Sequence, residues 1–201
     1  MPLRWKENAV VNVKLTDSLY SIAQMYQEPY VQFFNVSNAT GKWDGIDLTS
    51  IPTFVFLGHD KFFSREHYVE KLKHVKPIKI IPPPYVIRTF PRNALIEPKL
   101  SKSGVYDSTE GKVIKDNLDP IKDESIIRKH EIANMQLRWS LKSRLIYFYE
   151  TGEDIDLDKL YRFFPDEFIK YLEIFYKKFD TDEIDIDATM QAWKNHFNIS
   201  K

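Results

Sequence analysis

Carboxylates are the most concentrated reactive side chains in this chain of 201 residues, which contains no cysteine. Thirteen of its 29 Asp and Glu residues lie between residues 150 and 187, a stretch that has only five Lys and Arg. The two densest runs are "EDIDLD" at 153–158 and "DTDEIDID" at 180–187. Clustered carboxylates can bind cations or carry acid–base catalysis. The spacing of the carboxylates within these two runs decides whether either chemistry is possible.

The second run does not have the spacing of a calcium loop. An EF-hand loop places oxygen ligands at positions 1, 3 and 5 and a glycine at position 6. Counted from Asp180, position 5 is Ile184 and position 6 is Asp185. The run instead predicts an acidic loop between helices. The first run predicts carboxylates at a helix start, where the helix dipole favours negative charge.

Other catalytic and cofactor-binding patterns are missing from the sequence. The six glycines form no G-x-G-x-x-G or G-x-x-x-x-G-K motif, and there is no G-x-S-x-G elbow. Zinc sites built on cysteine are excluded, and the scattered histidines form no H-E-x-x-H. We therefore expect a protein that is not an enzyme and has no cofactor, no metal and no small-molecule substrate.

The zero net charge hides a division along the chain. Residues 1–149 contain 22 Lys and Arg and 16 Asp and Glu, whereas the acidic excess lies in residues 150–187. Such asymmetry can mark an interaction surface, although an ordinary solvated helical surface is an equal alternative. The first alternative predicts a partner-binding role for six carboxylates: Asp154, Asp156, Asp158, Asp182, Glu183 and Asp185.

A second candidate surface lies on a predicted hairpin. The strands "LYSIAQMY" and "YVQFFNV" are joined by "QEP", a loop that places Gln24 opposite Gln32. Because side chains alternate along a strand, both glutamines then lie on a face whose other residues are mainly aromatic. The two amides can exchange hydrogen bonds across the strands there. A dry core disfavours this pair, so the face is either a sheet surface under a loop or a contact surface. The contact alternative predicts partner binding by five residues: Tyr20, Gln24, Tyr26, Tyr30 and Gln32.

The most basic stretch is "REHYVEKLKHVKPIKI", residues 65–80. With neighbouring aromatic residues it has the composition of a surface that binds nucleic acid through phosphates and stacking. It also contains two glutamates, and its apolar residues recur at core spacing. The favoured interpretation is therefore a solvated helix face, with a helix capped by Ser64 that directs Tyr68 and Leu72 inward.

The elements that must position these residues change in type along the chain. Strands are predicted at 9–15, at "TFVFL", at "PIKII" and at "YVIRTF", followed by a polar loop at 97–124 that includes a small strand at "KVI". The order of strands and then helices predicts an α+β fold. We expect an N-terminal antiparallel sheet or small β-barrel over 1–124, and a helical segment over 125–201 packed on it as one cooperative unit.

Four helices are predicted in the second half. Apolar residues from Ile126 to Phe148 recur at steps of three and four, which predicts one helix of about 25 residues that ends at Gly152. A short helix follows around "LDKLYRFF", and Pro165 begins another that buries Phe168, Leu172 and Phe175. A last helix is predicted after Asp187.

The strand order resembles a known family. "VNVKLTDSLYSIAQM", "YVQFFNV", "PTFVFLG" and "IPPPYVIRTF" are similar to the immunity protein 26 family of bacterial polymorphic-toxin and contact-dependent inhibition systems. The resemblance implies an antidote that binds a cognate toxin domain and has no enzymatic role. Many such toxins are nucleases with basic clefts, to which an acidic surface would be complementary.

The alternative function is a nucleic-acid-binding or other interaction module on a small β-barrel. Nucleic acid is the less favoured partner. The first residues lack a signal-peptide core, and no apolar run approaches the ~20 residues that span a bilayer. We therefore expect a cytoplasmic protein that has no membrane partner.

Overall fold

The fold is α+β, as the sequence predicts. The computed structural model describes residues 3–58, 61–90, 102–133 and 138–179. The first sheet is antiparallel, with strand order β4-β3-β2-β1-β5. Its strands are β1 Val10–Thr16, β2 Leu19–Met25, β3 Tyr30–Asn38, β4 Thr53–Gly58 and β5 Tyr68–Lys71. A second sheet has the order β6-β7-β8, with β6 Tyr85–Phe90, β7 Lys102–Asp107 and β8 Val113–Lys115.

The helices lie mainly in the second half of the chain. Their bounds are α1 Lys61–His67, α2 Glu124–Lys129, α3 Arg138–Thr151, α4 Leu157–Phe163 and α5 Pro165–Phe179. A short 3-10 helix, Leu48–Ser50, precedes β4. The predicted starts of α4 and α5 are confirmed, and Phe168, Leu172 and Phe175 are buried as expected. Gly152 follows α3 with a φ of +79°, a conformation that glycine adopts without steric cost.

The first face of the five-stranded sheet packs against α1 and α3. Apolar side chains at alternate strand positions form this core with residues of the two helices. Among its fully buried members are Val11, Val13, Ala23, Phe33, Phe63, Leu141 and Leu145. The small residues Ser21 and Ala23 lie on this face, so α3 can approach closely. The Tyr149 hydroxyl donates a hydrogen bond to the Phe34 carbonyl over 2.7 Å and accepts one from the Ser21 hydroxyl over 2.5 Å.

The second face of the same sheet is covered by two loop segments, residues 39–51 and 72–81. Asn12 fixes the first of them, because its amide nitrogen donates to the Gly41 carbonyl and its amide oxygen accepts from the Trp43 indole, both over 3.0 Å. Gly41 has a φ of +67°, and a Cβ there would lie 2.7 Å from a ring carbon of Tyr20. A glycine is therefore required where the loop touches the sheet.

The second sheet packs its inner face on the helical half. Ile87 and Val105 contact Ile127, Ile132 and Phe163 in a separate apolar cluster. Ile87 also binds the chain on both sides of Ile132: its N–H donates to Glu131 and its carbonyl accepts from Ala133, both over 2.8 Å. This parallel bridge joins β6 to the segment between α2 and α3.

The prediction of a single helix from Ile126 to Phe148 is wrong. α2 ends at Lys129, and His130 has extended dihedral angles. The backbone groups of Glu131 and Ala133 are hydrogen-bonded to Ile87, so they cannot propagate a helix. After the break the predicted spacing is retained, since Leu141 and Leu145 are fully buried; before it Ile127 is fully buried, whereas the predicted Ile126 is half-buried.

Three other local predictions also differ from the structure. Ser64 does not cap a helix, because α1 begins at Lys61 and Ser64 lies inside it. Residues 68–71 form an edge strand beside β1 rather than continuing that helix, because Val11 and Val13 supply strand partners. Residues 77–81 are not a strand, and Ile78 binds the Gln24 side chain instead. The predicted loop 97–124 contains β7 as well as the expected small strand. The predicted helix after Asp187 lies outside the described residues.

We expect Leu141→Asp to lower the free energy of unfolding by about 3 kcal/mol or more, because it buries an unpaired carboxylate between α3 and the sheet. Chemical denaturation measures this quantity, and Lys142→Asp, on the exposed side of the same turn, is the matched control. Equal midpoints for the two variants would contradict the docking of α3 described above.

Candidate functional site

The first acidic run lies in the connection between α3 and α4, facing Arg144. The guanidinium of Arg144 donates five hydrogen bonds to three carboxylates. It binds Asp154 at 2.7 and 2.8 Å, Glu131 at 3.0 and 3.1 Å, and Asp156 at 3.0 Å. A guanidinium has five N–H donors, so none remains for another ligand. We call these four residues the arginine centre.

The arginine centre is buried around its cation. The Arg144 side chain is 1% exposed, and the Asp156 carboxylate is nearly as buried. Burial alone would lower the pKa of Arg144, but the carboxylates of Glu131, Asp156 and Asp154 outweigh it and hold that pKa well above its usual range. Burial raises the pKa of Glu131, whereas Arg144 and Lys159 lower it, and the net pKa of Glu131 is below its ordinary value.

Asp156 has a structural partner besides Arg144, and Asp158 has partners of its own. The Asp156 carboxylate caps α4 by accepting a hydrogen bond from the Lys159 N–H over 3.1 Å. Asp158 accepts a hydrogen bond from the Ser140 hydroxyl over 3.0 Å. Asp158 also attracts the Arg162 guanidinium, whose pKa is lowered by burial against the pull of Asp158. The first acidic run therefore stabilises the junction of α3 and α4.

These positions correct the acidic surface expected from the sequence. Asp156 and Asp158 are buried and cannot form an exposed contact patch. Asp154 is 38% exposed, but both of its carboxylate oxygens bind Arg144. Asp182, Glu183 and Asp185 lie outside the described residues, so their partner-binding role stays a prediction.

The predicted pairing of Gln24 with Gln32 across β2 and β3 is confirmed. The predicted exchange of amide hydrogen bonds is wrong, because each amide binds backbone groups. Gln24 donates to the Ile78 carbonyl over 2.8 Å and accepts from the Ile78 N–H over 3.0 Å. Gln32 donates to the carbonyls of Phe33 and Val55.

Both glutamines are buried, which excludes them from a contact surface. The alternative of a sheet surface under a loop is therefore the one observed. Residues 77–81 do not pair as a strand. The Gln24 amide instead supplies the donor and the acceptor that bind the Ile78 carbonyl and N–H. Tyr20 lies under the loop at Gly41 and is half-buried.

Tyr26 and Tyr30 form an accessible aromatic group with Phe56 of β4. The Tyr30 and Phe56 rings are stacked within 3° of parallel at 5.7 Å, and Tyr26 packs edge-on to Phe56 at 5.6 Å. All three side chains are half-buried. We call this group the aromatic cluster. It lies at the turn end of the hairpin, where Tyr26 N–H donates to the Tyr30 carbonyl.

Sequence reasoning missed two residues that organise these groups, Arg144 and Phe56. Arg144 stands directly beside Leu145 of the apolar stripe, and the acidic run begins nine residues later. An arginine three residues after Leu141 and four before Phe148, ahead of an acidic run, was the available signal. Phe56 lies in the apolar strand "TFVFL", and only the register Gln32 to Phe56 brings it to the hairpin.

Among the residues that the structure describes, no group of three or more His, Asp or Glu side chains is arranged to hold a metal ion. In the same part of the chain, no helix has the length and apolar character needed to cross a membrane.

Comparison with known proteins assigns the chain to one family. A family model described as a domain of unknown function (DUF8309) matches residues 2–169, and the chain therefore belongs to that family. The match extends from the N-terminal sheet into α5, so it includes both the arginine centre and the aromatic cluster. No curated protein and no solved structure matches the chain.

We expect Arg144→Ala to lower the free energy of unfolding by about 3–5 kcal/mol, because it leaves buried carboxylates without their cation. Arg144→Lys should be intermediate, since it keeps the charge but loses the planar fork. Denaturation of the exposed control Lys142→Ala should match wild type. A stable Arg144→Ala variant would show that the centre does not hold the fold.

The acid dependence of stability should report on Glu131. Its folded pKa lies below the ordinary 4.5, so the stabilisation it gives is complete above that value and is lost as pH falls through the folded pKa. In Glu131→Gln this titration is removed, and unfolding free energy should fall less steeply below pH 4.5 than in wild type. Parallel pH profiles would contradict the ion pair. Glu173→Gln, an exposed carboxylate on α5, is the control.

Proposed function

We propose that this DUF8309 member is a cytoplasmic immunity protein that binds a cognate bacterial toxin domain and blocks its active site. The resemblance of the hairpin and its neighbouring strands to the immunity protein 26 family supports the toxin as partner. The aromatic cluster supports the proposal that the protein acts by binding, because it offers ordered apolar anchors at the surface.

The aromatic cluster is the single observation that carries the proposal. Aromatic side chains dominate the energetics of protein interfaces, since each contributes a large apolar area with few rotatable bonds. A cluster whose rings already pack on one another loses little conformational entropy when a partner binds. The three rings meet this requirement through their mutual packing.

The backbone under the cluster is also fixed. Tyr26 N–H donates to the Tyr30 carbonyl over 2.9 Å, and Tyr30 N–H donates to the Gln27 carbonyl over 2.7 Å. The indole of Trp5 donates to the Tyr26 carbonyl over 3.0 Å. The hairpin end is therefore tied to the N-terminal segment as well as to itself.

The proposal moves the contact from the first acidic run to the hairpin. Charge reversal at Asp156 or Asp158 would disturb buried hydrogen bonds, so loss of toxin binding in such variants would report on folding. Tyr26 and Tyr30 are exposed enough to be changed without opening the core. They are therefore the residues at which binding and folding can be separated.

We expect Tyr30→Ala, and Tyr26→Ala to a similar extent, to make the complex with the toxin dissociate at least about tenfold faster. The probe is the purified toxin domain that the proposal requires, to be sought at the C-terminus of a large secreted protein encoded by a neighbouring gene. Surface plasmon resonance measures dissociation, and an assay of the toxin's own activity measures neutralisation. Melting temperatures of both variants should stay near that of wild type.

Tyr85→Ala is the matched control, because Tyr85 is 40% exposed on the second sheet. It should dissociate at the wild-type rate. Absence of any wild-type complex would overturn the proposed function. A complex that Tyr85→Ala weakens and Tyr30→Ala does not would move the contact to the second sheet.

A further inference from the structure

Residues 72–81, which we call the lysine segment, cross the second face of the first sheet. Leu72 N–H donates to the Val10 carbonyl over 2.9 Å on β1. Farther along, Ile78 is held by both hydrogen bonds of the Gln24 amide on β2. The segment therefore runs from β1 towards β2 across the strands.

The path of the lysine segment follows one cross-strand row of the sheet. Val10 pairs with Gln24, Gln24 pairs with Gln32, and Gln32 pairs with Phe56. Phe56 belongs to the aromatic cluster, and Tyr26 lies two residues beyond Gln24 on the same face. The lysine segment and the aromatic cluster therefore border one another on one side of the molecule.

The side chains of the lysine segment are sorted by polarity. Leu72 and Val75 are buried in the apolar cluster on the second face of the sheet, and Ile80 is also buried. Lys73, Lys76 and Lys79 are exposed, and none of them takes part in an ion pair within the described residues. No Asp or Glu occurs between residues 71 and 81. The buried anchors thus place three lysines that form no ion pair within the described residues at exposed positions.

Two carboxylates of the described residues, Glu70 and Asp47, lie beside the lysine segment. Glu70 precedes it on β5 and approaches the Asn12 amide. Asp47 lies near Lys76: hydrogen bonds from Thr49 lower the pKa of Asp47 first, and Lys76 lowers it further. Both carboxylates lie towards the β5 and loop side, whereas Lys79 follows the residue that Gln24 holds. Lys79 therefore follows the part of the segment that is held on β2, away from Glu70 on β5.

We propose that Lys73, Lys76 and Lys79 together with the aromatic cluster bind an acidic protein segment that carries apolar side chains. The inference rests on the proposed function and specifies the partner: the bound surface of the toxin is acidic. This is the opposite of the basic cleft expected from the sequence. Carboxylates of the partner face the lysines, and its apolar side chains cover the rings.

The packing of the aromatic cluster favours a protein over a nucleic acid. A base stacks on a free ring face, but Tyr30 stacks on Phe56 and Tyr26 packs edge-on against the same ring. Glu28 is exposed at the turn between the two tyrosines. Its charge repels a phosphate chain that passes the rings, whereas a peptide can direct an apolar residue there.

A titration with two defined probes tests the chemistry of this surface. The probes are a fluorescein-labelled peptide of alternating Glu and Leu and a labelled oligodeoxythymidine of equal length. Fluorescence anisotropy should show that the full chain binds the peptide more tightly. The triple variant Lys73→Glu, Lys76→Glu and Lys79→Glu should weaken peptide binding by about tenfold or more.

The control carries the same change of charge elsewhere, at the exposed residues Lys112, Lys122 and Lys142. It should retain most of the affinity for the peptide. An equal loss in both triple variants, or no peptide binding by wild type, overturns the inference. Tighter binding of the oligodeoxythymidine, abolished in the lysine-segment variant, replaces the protein partner with a nucleic acid.

Measurement with the purified toxin domain separates this inference from the proposed function. If wild type and the lysine-segment variant bind the toxin equally well, the acidic-partner inference fails and the immunity function stands. If wild type does not bind the toxin but binds the acidic peptide through these lysines, the immunity function fails and the surface chemistry stands.

Discussion

Arg144 joins three parts of the fold that apolar packing alone would leave loosely related. Its helix, α3, is packed on the five-stranded sheet. Glu131 belongs to the segment bridged to β6 of the second sheet, and Asp154 and Asp156 lead into α4. One guanidinium therefore ties the first sheet, the second sheet and the helical pair. A buried ion network is weak evidence for net stabilisation, because desolvation opposes the Coulomb attraction. Its strict geometry does fix how the three parts meet.

The arginine centre also determines which surfaces remain for function. It draws the first acidic run into the interior, so negative charge that is prominent in the sequence is neutralised in the fold. On the far side of the first sheet, Asn12 and Gln24 bind loop backbones with their amides, and Gln32 binds carbonyls of β3 and β4. Both faces of that sheet are therefore covered. The accessible part of the hairpin is its turn end, where the aromatic cluster borders the lysine segment.

The sequence predicted the features that depend on local patterns. Alternation located β1 to β3, a short apolar run located β4, and the three-residue loop predicted the register of Gln24 with Gln32. Glycine and proline located the end of α3 and the start of α5. The errors arise where distant segments compete with local preference. The hydrogen bonds of Ile87 to Glu131 and Ala133 end the helix at His130, although the apolar spacing in the sequence continues past that residue. The open edge of β1 turns Tyr68–Lys71 into a strand. The role of Arg144 depends on a carboxylate thirteen residues before it and two after it, a combination that periodicity does not encode.

We expect the hairpin end, and not the first acidic run, to contact the partner. Hydrogen exchange of the backbone amides, measured with and without the purified toxin domain, tests this expectation most directly because the method needs no substitution. Exchange should become slower on binding at residues 26–30, 56–58 and 73–79, with little change at 153–158. Protection confined to 153–158, with unchanged exchange at the hairpin end, would contradict it.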